Sequence, residues 1–62
     1  MPPSKVNVGI VLEDYTSSKY PFIIYYLNEE VLVLESYENY YLVEKNSGVQ
    51  GFIPKDLISI MQ

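Results

Sequence analysis

Apolar and polar residues alternate along this chain in short runs, the period of β-strands rather than of helices. Alanine is absent, no stripe at helical spacing is present, and Val, Ile, Leu, Tyr and Phe dominate. Val6 to Leu12 predicts a first strand. Glu13 to Pro21, with Thr16-Ser17-Ser18 and a proline, predicts a long loop. Phe22 to Leu27 is apolar and stops at Asn28-Glu29-Glu30, a turn-like break. Val31 to Glu35 predicts a second strong strand, Ser36 to Asn39 a short polar turn, and Tyr40 to Glu44 a third strand. Lys45-Asn46-Ser47-Gly48 predicts a tight hairpin turn, with Asn and Gly supplying positive φ. Val49 to Ile53 predicts a fourth strand, stopped by Pro54, which cannot donate to a central ladder. Lys55-Asp56-Leu57 fits one 3₁₀ turn before a last strand, Ile58 to Ile60. Five short strands with tight turns predict an all-β fold, a small barrel or sandwich. Closure into a barrel would also remove exposed edges. No repeat or linker divides the chain, so the expected organisation is a flexible tail, residues 1–5, and one domain, residues 6–62.

Composition narrows the means of holding such a fold. A 62-residue chain builds only a thin core. It contains no cysteine and no histidine, so disulfides are excluded and only carboxylates and carbonyls could hold a metal; no metal or cofactor is expected. An apolar fraction of 48 % and seven tyrosines leave packing to hold the fold. The net charge of −4 repels phosphates, which argues against nucleic acid and anionic membranes as partners. A weakly basic peptide partner fits that charge, and so does ordinary solubility. No apolar window is long enough for a membrane span, and Met1-Pro2-Pro3-Ser4-Lys5 lacks the apolar core of a secretory signal. Without cysteine the redox compartment is open and a cytoplasmic location is the default expectation, a monomer is expected, and the Met on so short a chain suggests a piece of a larger protein. Serines and threonines have no histidine to activate them, and Glu13-Asp14 lacks a partner base or nucleophile. Phosphate-binding glycine motifs are also missing. The expectation is a domain without catalytic residues.

The order of segments resembles a known family. Val11-Leu12-Glu13-Asp14-Tyr15 resembles the Ala-Leu-Tyr-Asp-Tyr segment that opens a Src-homology-3 (SH3) domain. Asn28-Glu29-Glu30-Val31-Leu32-Val33-Leu34-Glu35 is similar to that family's Gly-Asp turn and the strand after it. Tyr40-Tyr41-Leu42 stands where the family has a Trp-Trp pair. Gly51-Phe52-Ile53-Pro54-Lys55-Asp56-Leu57 resembles its Gly-Leu-Phe-Pro-x-Asn-Tyr segment. Four segments keep their register from about residue 6 to residue 60. The resemblance implies a small five-stranded SH3-like barrel with one 3₁₀ turn. Residues 13–22 become the RT loop, a folded-over hairpin. Residues 36–39 become the n-Src loop, 45–48 the distal hairpin, and Gly51 a close approach to a neighbouring strand.

In this family the ligand is a proline-rich segment in polyproline II form, its proline rings seated between aromatic walls. The first proline slot is walled in the family by two tyrosines, whose positions here hold Glu13 and Leu57. The second is matched by Tyr15, Tyr40 and Pro54, with Tyr40 in place of tryptophan. The third takes an Arg or Lys of the ligand against an acidic residue of the RT loop, where this chain has Ser18-Lys19-Tyr20-Pro21 and no carboxylate. A carboxylate at Glu13 cannot stack on a proline ring and is costly to cover. The implied module is thus atypical. It keeps one proline slot, beside Asn39 and Leu57, and a remodelled flank that takes a non-proline anchor or a cation at Glu13, Asp14 or Glu38.

Each assignment has a plainer counterpart. Tyr15, Tyr40 and Pro54 could serve folding alone. Tyr20, Phe22, Tyr25 and Tyr26 read as loop packing and core, Tyr37 as solvated or rim, and Glu29-Glu30 as a solvated turn. The resemblance implies a peptide partner from a signalling, cytoskeletal or trafficking protein. The alternative is a structural or autoinhibitory domain that contacts its own parent chain. A third reading, an aromatic barrel stacking single-stranded nucleic acid, is opposed by the charge.

Overall fold

The structure is a computed structural model and describes residues 7–61. The expected tail at residues 1–5 and the terminal positions Val6 and Gln62 lie outside the described residues. Strand β1 spans Asn7–Val11, β2 Tyr15–Thr16, β3 Ile24–Tyr25, β4 Glu30–Ser36, β5 Tyr40–Glu44 and β6 Gln50–Pro54. A 3₁₀ turn at Lys55–Leu57 leads into β7, Ile58–Met61. Five strands form one antiparallel sheet in the order β6-β5-β4-β1-β7, as the alternation predicted. The predicted long loop contains a separate small hairpin of β2 and β3, with Tyr15 opposite Tyr25 and Thr16 opposite Ile24. Hydrogen bonding does not close the sheet into a barrel: β6 and β7 remain edges, and the hairpin folds over the core as a second layer.

Alternate residues of each strand turn inward, which places the core on one face of the curved sheet. Val11, Val31, Val33, Val43, Ile53 and Ile58 supply it from the large sheet, and Ile23 and Tyr25 cap it from the hairpin. In β4 the register slips by one residue between Val33 and Glu35 relative to β5, a bulge at Leu34 that interrupts the alternation. Gly51 sits where that cap presses down. A Cβ there would run into Ile23 Cδ1 and lie 2.8 Å from the Tyr25 hydroxyl oxygen. The close approach expected of this glycine is thus made by the hairpin rather than by a neighbouring strand.

Turn chemistry differs from expectation in two places. The hairpin at 45–48 closes through Gly48 N–H to Lys45 O (2.8 Å) and Lys45 N–H to Val49 O (2.8 Å). Only Gly48 (φ 93°) has positive φ there, so Asn46 does not share that role. The other positive φ among the described residues belongs to Asn28 (φ 69°), in the break after the apolar run. Asparagine tolerates this conformation better than other side-chain-bearing residues. Pro54 ends β6 as its last residue, opposite Tyr40, one residue beyond the expected end. An edge strand accommodates it because its missing N–H need not serve a further neighbour.

The apolar run at 22–27 also resolves differently from the expected packing. Only Ile23 and Tyr25 point inward, while Phe22 (66 % exposed), Tyr26 (58 %) and the neighbouring Tyr20 (88 %) face solvent. A two-residue strand lying over a core can bury only one of its faces.

Candidate peptide-binding face

Backbone bonds and strand pairing link several of the expected site residues. Leu12 N–H donates to Leu57 O (2.8 Å), tying the start of the RT hairpin to the 3₁₀ turn and setting Glu13 beside Leu57. Lys55 N–H donates to Asn39 O (3.0 Å), tying the same turn to the tight loop Tyr37–Tyr40, which closes through Tyr37 N–H to Tyr40 O (2.8 Å). Two backbone bonds from one short turn therefore fix both flanks of the face.

Tyr40 stands at its centre. It opens β5 directly opposite Pro54, is 46 % exposed, and lines a cavity of about 500 Å³ together with Tyr15. Tyr15 is half-buried, and its ring stacks on that of Tyr25 at 6.2 Å and 29°. Tyr40 thus has Pro54 across the ladder and shares the cavity with Tyr15. Pro54 and Leu57 are half-buried and lie outside the cavity wall.

The acidic candidates separate into different roles. Glu13 and Glu38 are exposed. Asp14 is exposed too, but its Oδ1 accepts the Leu27 N–H at 2.8 Å, which closes the base of the hairpin. One carboxylate oxygen of the expected cation-binding flank is therefore committed to the fold.

Sequence reasoning passed over Phe52 and Gln50, which also line the cavity. Period-two alternation along β6 puts Gln50, Phe52 and Pro54 on one face and Gly51 and Ile53 on the other, so the signal was available. Phe52 meets Tyr37 edge to face at 5.7 Å, and the Tyr37 hydroxyl donates to Glu35 Oε1 at 3.0 Å. That bond to a carboxylate raises the Tyr37 phenol above its ordinary range. Tyr37 is accordingly a rim residue, supporting Phe52 from behind.

The hairpin that forms the opposite wall is held in two places. Ser17 Oγ accepts from Ile23 N–H (2.9 Å) and donates to Pro21 O (3.0 Å). At the other end Lys45 donates to Ile24 O, lies 3.4 Å from Glu29 Oε2, and has its ammonium 5.2 Å and 5.7 Å from the rings of Tyr25 and Tyr26. Among the described residues no group of three or more His, Cys, Asp or Glu could hold a metal ion. No helix among them is long and apolar enough to cross a membrane.

The profile of the Variant SH3 domain matches residues 8–61. Two solved structures share the fold. One is the C-terminal SH3 domain of myosin IB from Entamoeba histolytica, 22 % identical, with a TM-score of 0.86 over 97 % of this chain and 100 % of that one. The other is the same domain bound to an EhFP10(GEF) peptide, 23 % identical, with the same TM-score and coverage. No curated protein sequence matches the chain.

Proposed function

The chain belongs to the variant SH3 domain family, and from that premise we propose a non-catalytic interaction module that binds a proline-containing or non-standard peptide segment against Tyr40. The observation that carries this reading is the placement of Tyr40, an exposed aromatic with Pro54 on one side and a cavity shared with Tyr15 on the other. A proline ring laid on Tyr40 would gain an aromatic wall and a phenol as hydrogen-bond donor. Asn39, Leu57 and Glu13 border the same face, with Glu13, Asp14 and Glu38 as the acidic flank. The face is small and two aromatic walls of the family pattern are replaced, so affinity should be micromolar or weaker, about −8 kcal/mol or less favourable. The peptide belongs to another protein of a signalling, cytoskeletal or trafficking assembly in the cytoplasm, and the domain acts as a monomer within a larger chain.

Glu13 and Leu57, in place of aromatic walls, favour a second reading, in which the domain contacts its own parent chain. It predicts silence against a broad peptide array and a response to flanking parent segments. Tyr40→Ala tests the placement of the site. With half of the side chain buried, truncation should cost about 1–2 kcal/mol of stability. It should weaken peptide binding by about 30-fold or abolish it, as loss of a central aromatic anchor does. Unfolding of the variant, or unchanged binding, would assign Tyr40 to packing instead.

A further inference from the structure

The cavity beside Tyr40 has an electrostatic character that its neighbours lack. Its walls include Tyr15, Tyr40, Phe52 and Ile23, and among the described residues the only charged side chain lining it is Lys19. We propose that this cavity is a carboxylate-accepting subsite, in which Lys19 pairs with an Asp or Glu side chain of the bound peptide; this rests on the peptide-binding reading above.

Three observations support it. The segment carrying Lys19 is closed at its ends by hydrogen bonds. Ser17 N–H donates to Ile23 O at 3.0 Å, and Ser17 Oγ bridges Ile23 N–H and Pro21 O. An anchor on a pinned loop loses less freedom on binding than one on a mobile loop. Next, Lys19 is the uncommitted cation among the described lysines. Lys45 is held by Glu29 and the Ile24 carbonyl, and Lys55 lies 5.2 Å from the Tyr41 ring, whereas no carboxylate among the described residues stands within ion-pair distance of Lys19. Finally, the carboxylates behind the net charge of −4 lie outside the cavity wall, among them Glu13 and Asp14 at the hairpin base and Glu35 and Glu38 near the tight loop.

Screening confines those charges to a range of about 8 Å at physiological ionic strength. Lys19 itself is exposed, so a pair made there is solvent-screened and modest. A basic anchor in this position would meet Lys19 with no carboxylate to offset it, so the subsite selects by repulsion as well as attraction. Lys19 and Glu13 lie on separate parts of the face, which gives it a polarity: anion toward the cavity, cation toward the 3₁₀ turn.

The test uses synthetic peptides with a Pro-x-x-Pro core whose two flanking positions carry Glu, Gln or Arg. They are titrated against the wild-type domain and Lys19→Glu at low and high salt, with amide shifts of Tyr40, Phe52 and Lys19 as the readout. Lys19 is exposed, so the variant should fold as the wild type does. The wild type should prefer a Glu-flanked over an Arg-flanked peptide by about three- to tenfold, with Gln between, as expected for one partly screened pair. Lys19→Glu should invert that order, and salt should shrink both preferences. Peptides that bind with no charge preference, or with Arg preferred by the wild type, or without inversion in Lys19→Glu, overturn the carboxylate subsite and leave the peptide-binding reading standing. If no peptide of any flank moves Tyr40 in either protein, the peptide-binding reading fails and the subsite with it.

Discussion

Replacing Tyr25 by phenylalanine should make this domain more stable. Tyr25 is fully buried on the core-facing side of the RT hairpin, and its hydroxyl has no hydrogen-bond partner among the described residues. A buried hydroxyl without a partner costs about 1–3 kcal/mol of desolvation. Phenylalanine keeps the ring, its stacking on Tyr15 and its place under Lys45, and loses only the packing of one oxygen, worth a few tenths of a kcal/mol. The net gain should be about 1 kcal/mol, which raises the melting midpoint of so small a domain by about 4–8 °C.

The same hydroxyl has an alkaline signature. Burial, followed by the nearby charges of Glu29 and Tyr15, pushes the Tyr25 phenol up to about 12 from its ordinary 10.0. Between those values the unfolded chain has released the proton and the folded chain has kept it. The unfolded state binds fewer protons there, so stability falls as pH rises, by on the order of 2–3 kcal/mol across the window. Below pH 10 this contribution is constant. Urea denaturation followed by circular dichroism, at neutral pH and at steps toward pH 12, measures both effects. Tyr25→Phe should start ahead and its lead should widen through the alkaline window. A variant less stable than the wild type at neutral pH, with the two pH curves parallel, would refute the unpartnered-hydroxyl picture.

Further outcomes follow from the hairpin's attachment to the core. Gly51→Ala should destabilise by about 1–3 kcal/mol, because its methyl group collides with Ile23 Cδ1. Ile23→Val removes that atom, so chemical denaturation should find the double variant less damaged than the sum of the singles; strict additivity would sink the collision argument. Lys45→Met should cost about 1–2 kcal/mol and loosen the hairpin, since it removes the Glu29 pair, the bond to the Ile24 carbonyl and the ring contacts. Faster amide exchange in the RT hairpin is the expected mark, and unchanged exchange there would show that Lys45 tethers nothing.

The large sheet was legible in the sequence because its signals are local. Short apolar runs mark the strands that carry Val31, Val33, Val43, Ile53 and Ile58, and Asn28 and Gly48 carry the turn chemistry of the breaks between strands. The RT hairpin was less legible because its fate depends on distant partners. Whether Phe22 and Tyr26 are covered is decided by how a two-residue strand meets the sheet, and an apolar run reads the same either way. Lys45 on a hairpin turn looks solvated until the chain folds Glu29 and Ile24 against it. In the candidate site, the resemblance points to Tyr15, Tyr40 and Pro54, whereas Phe52, which lines the cavity with Tyr15 and Tyr40, has no place in the quoted family pattern. Its alternation on β6, opposite Leu42 and two residues from Pro54, marked it as facing the same way.

Peptide binding at Tyr40 is tested most directly by titrating the isotope-labelled domain with proline-rich peptides and following its backbone amides. The amides of Tyr15, Asn39, Tyr40 and Leu57 should shift first and together, with Phe52 joining them at the cavity. Shifts confined to the distal hairpin at Lys45–Gly48, or none at any peptide concentration, would contradict a ligand site at Tyr40.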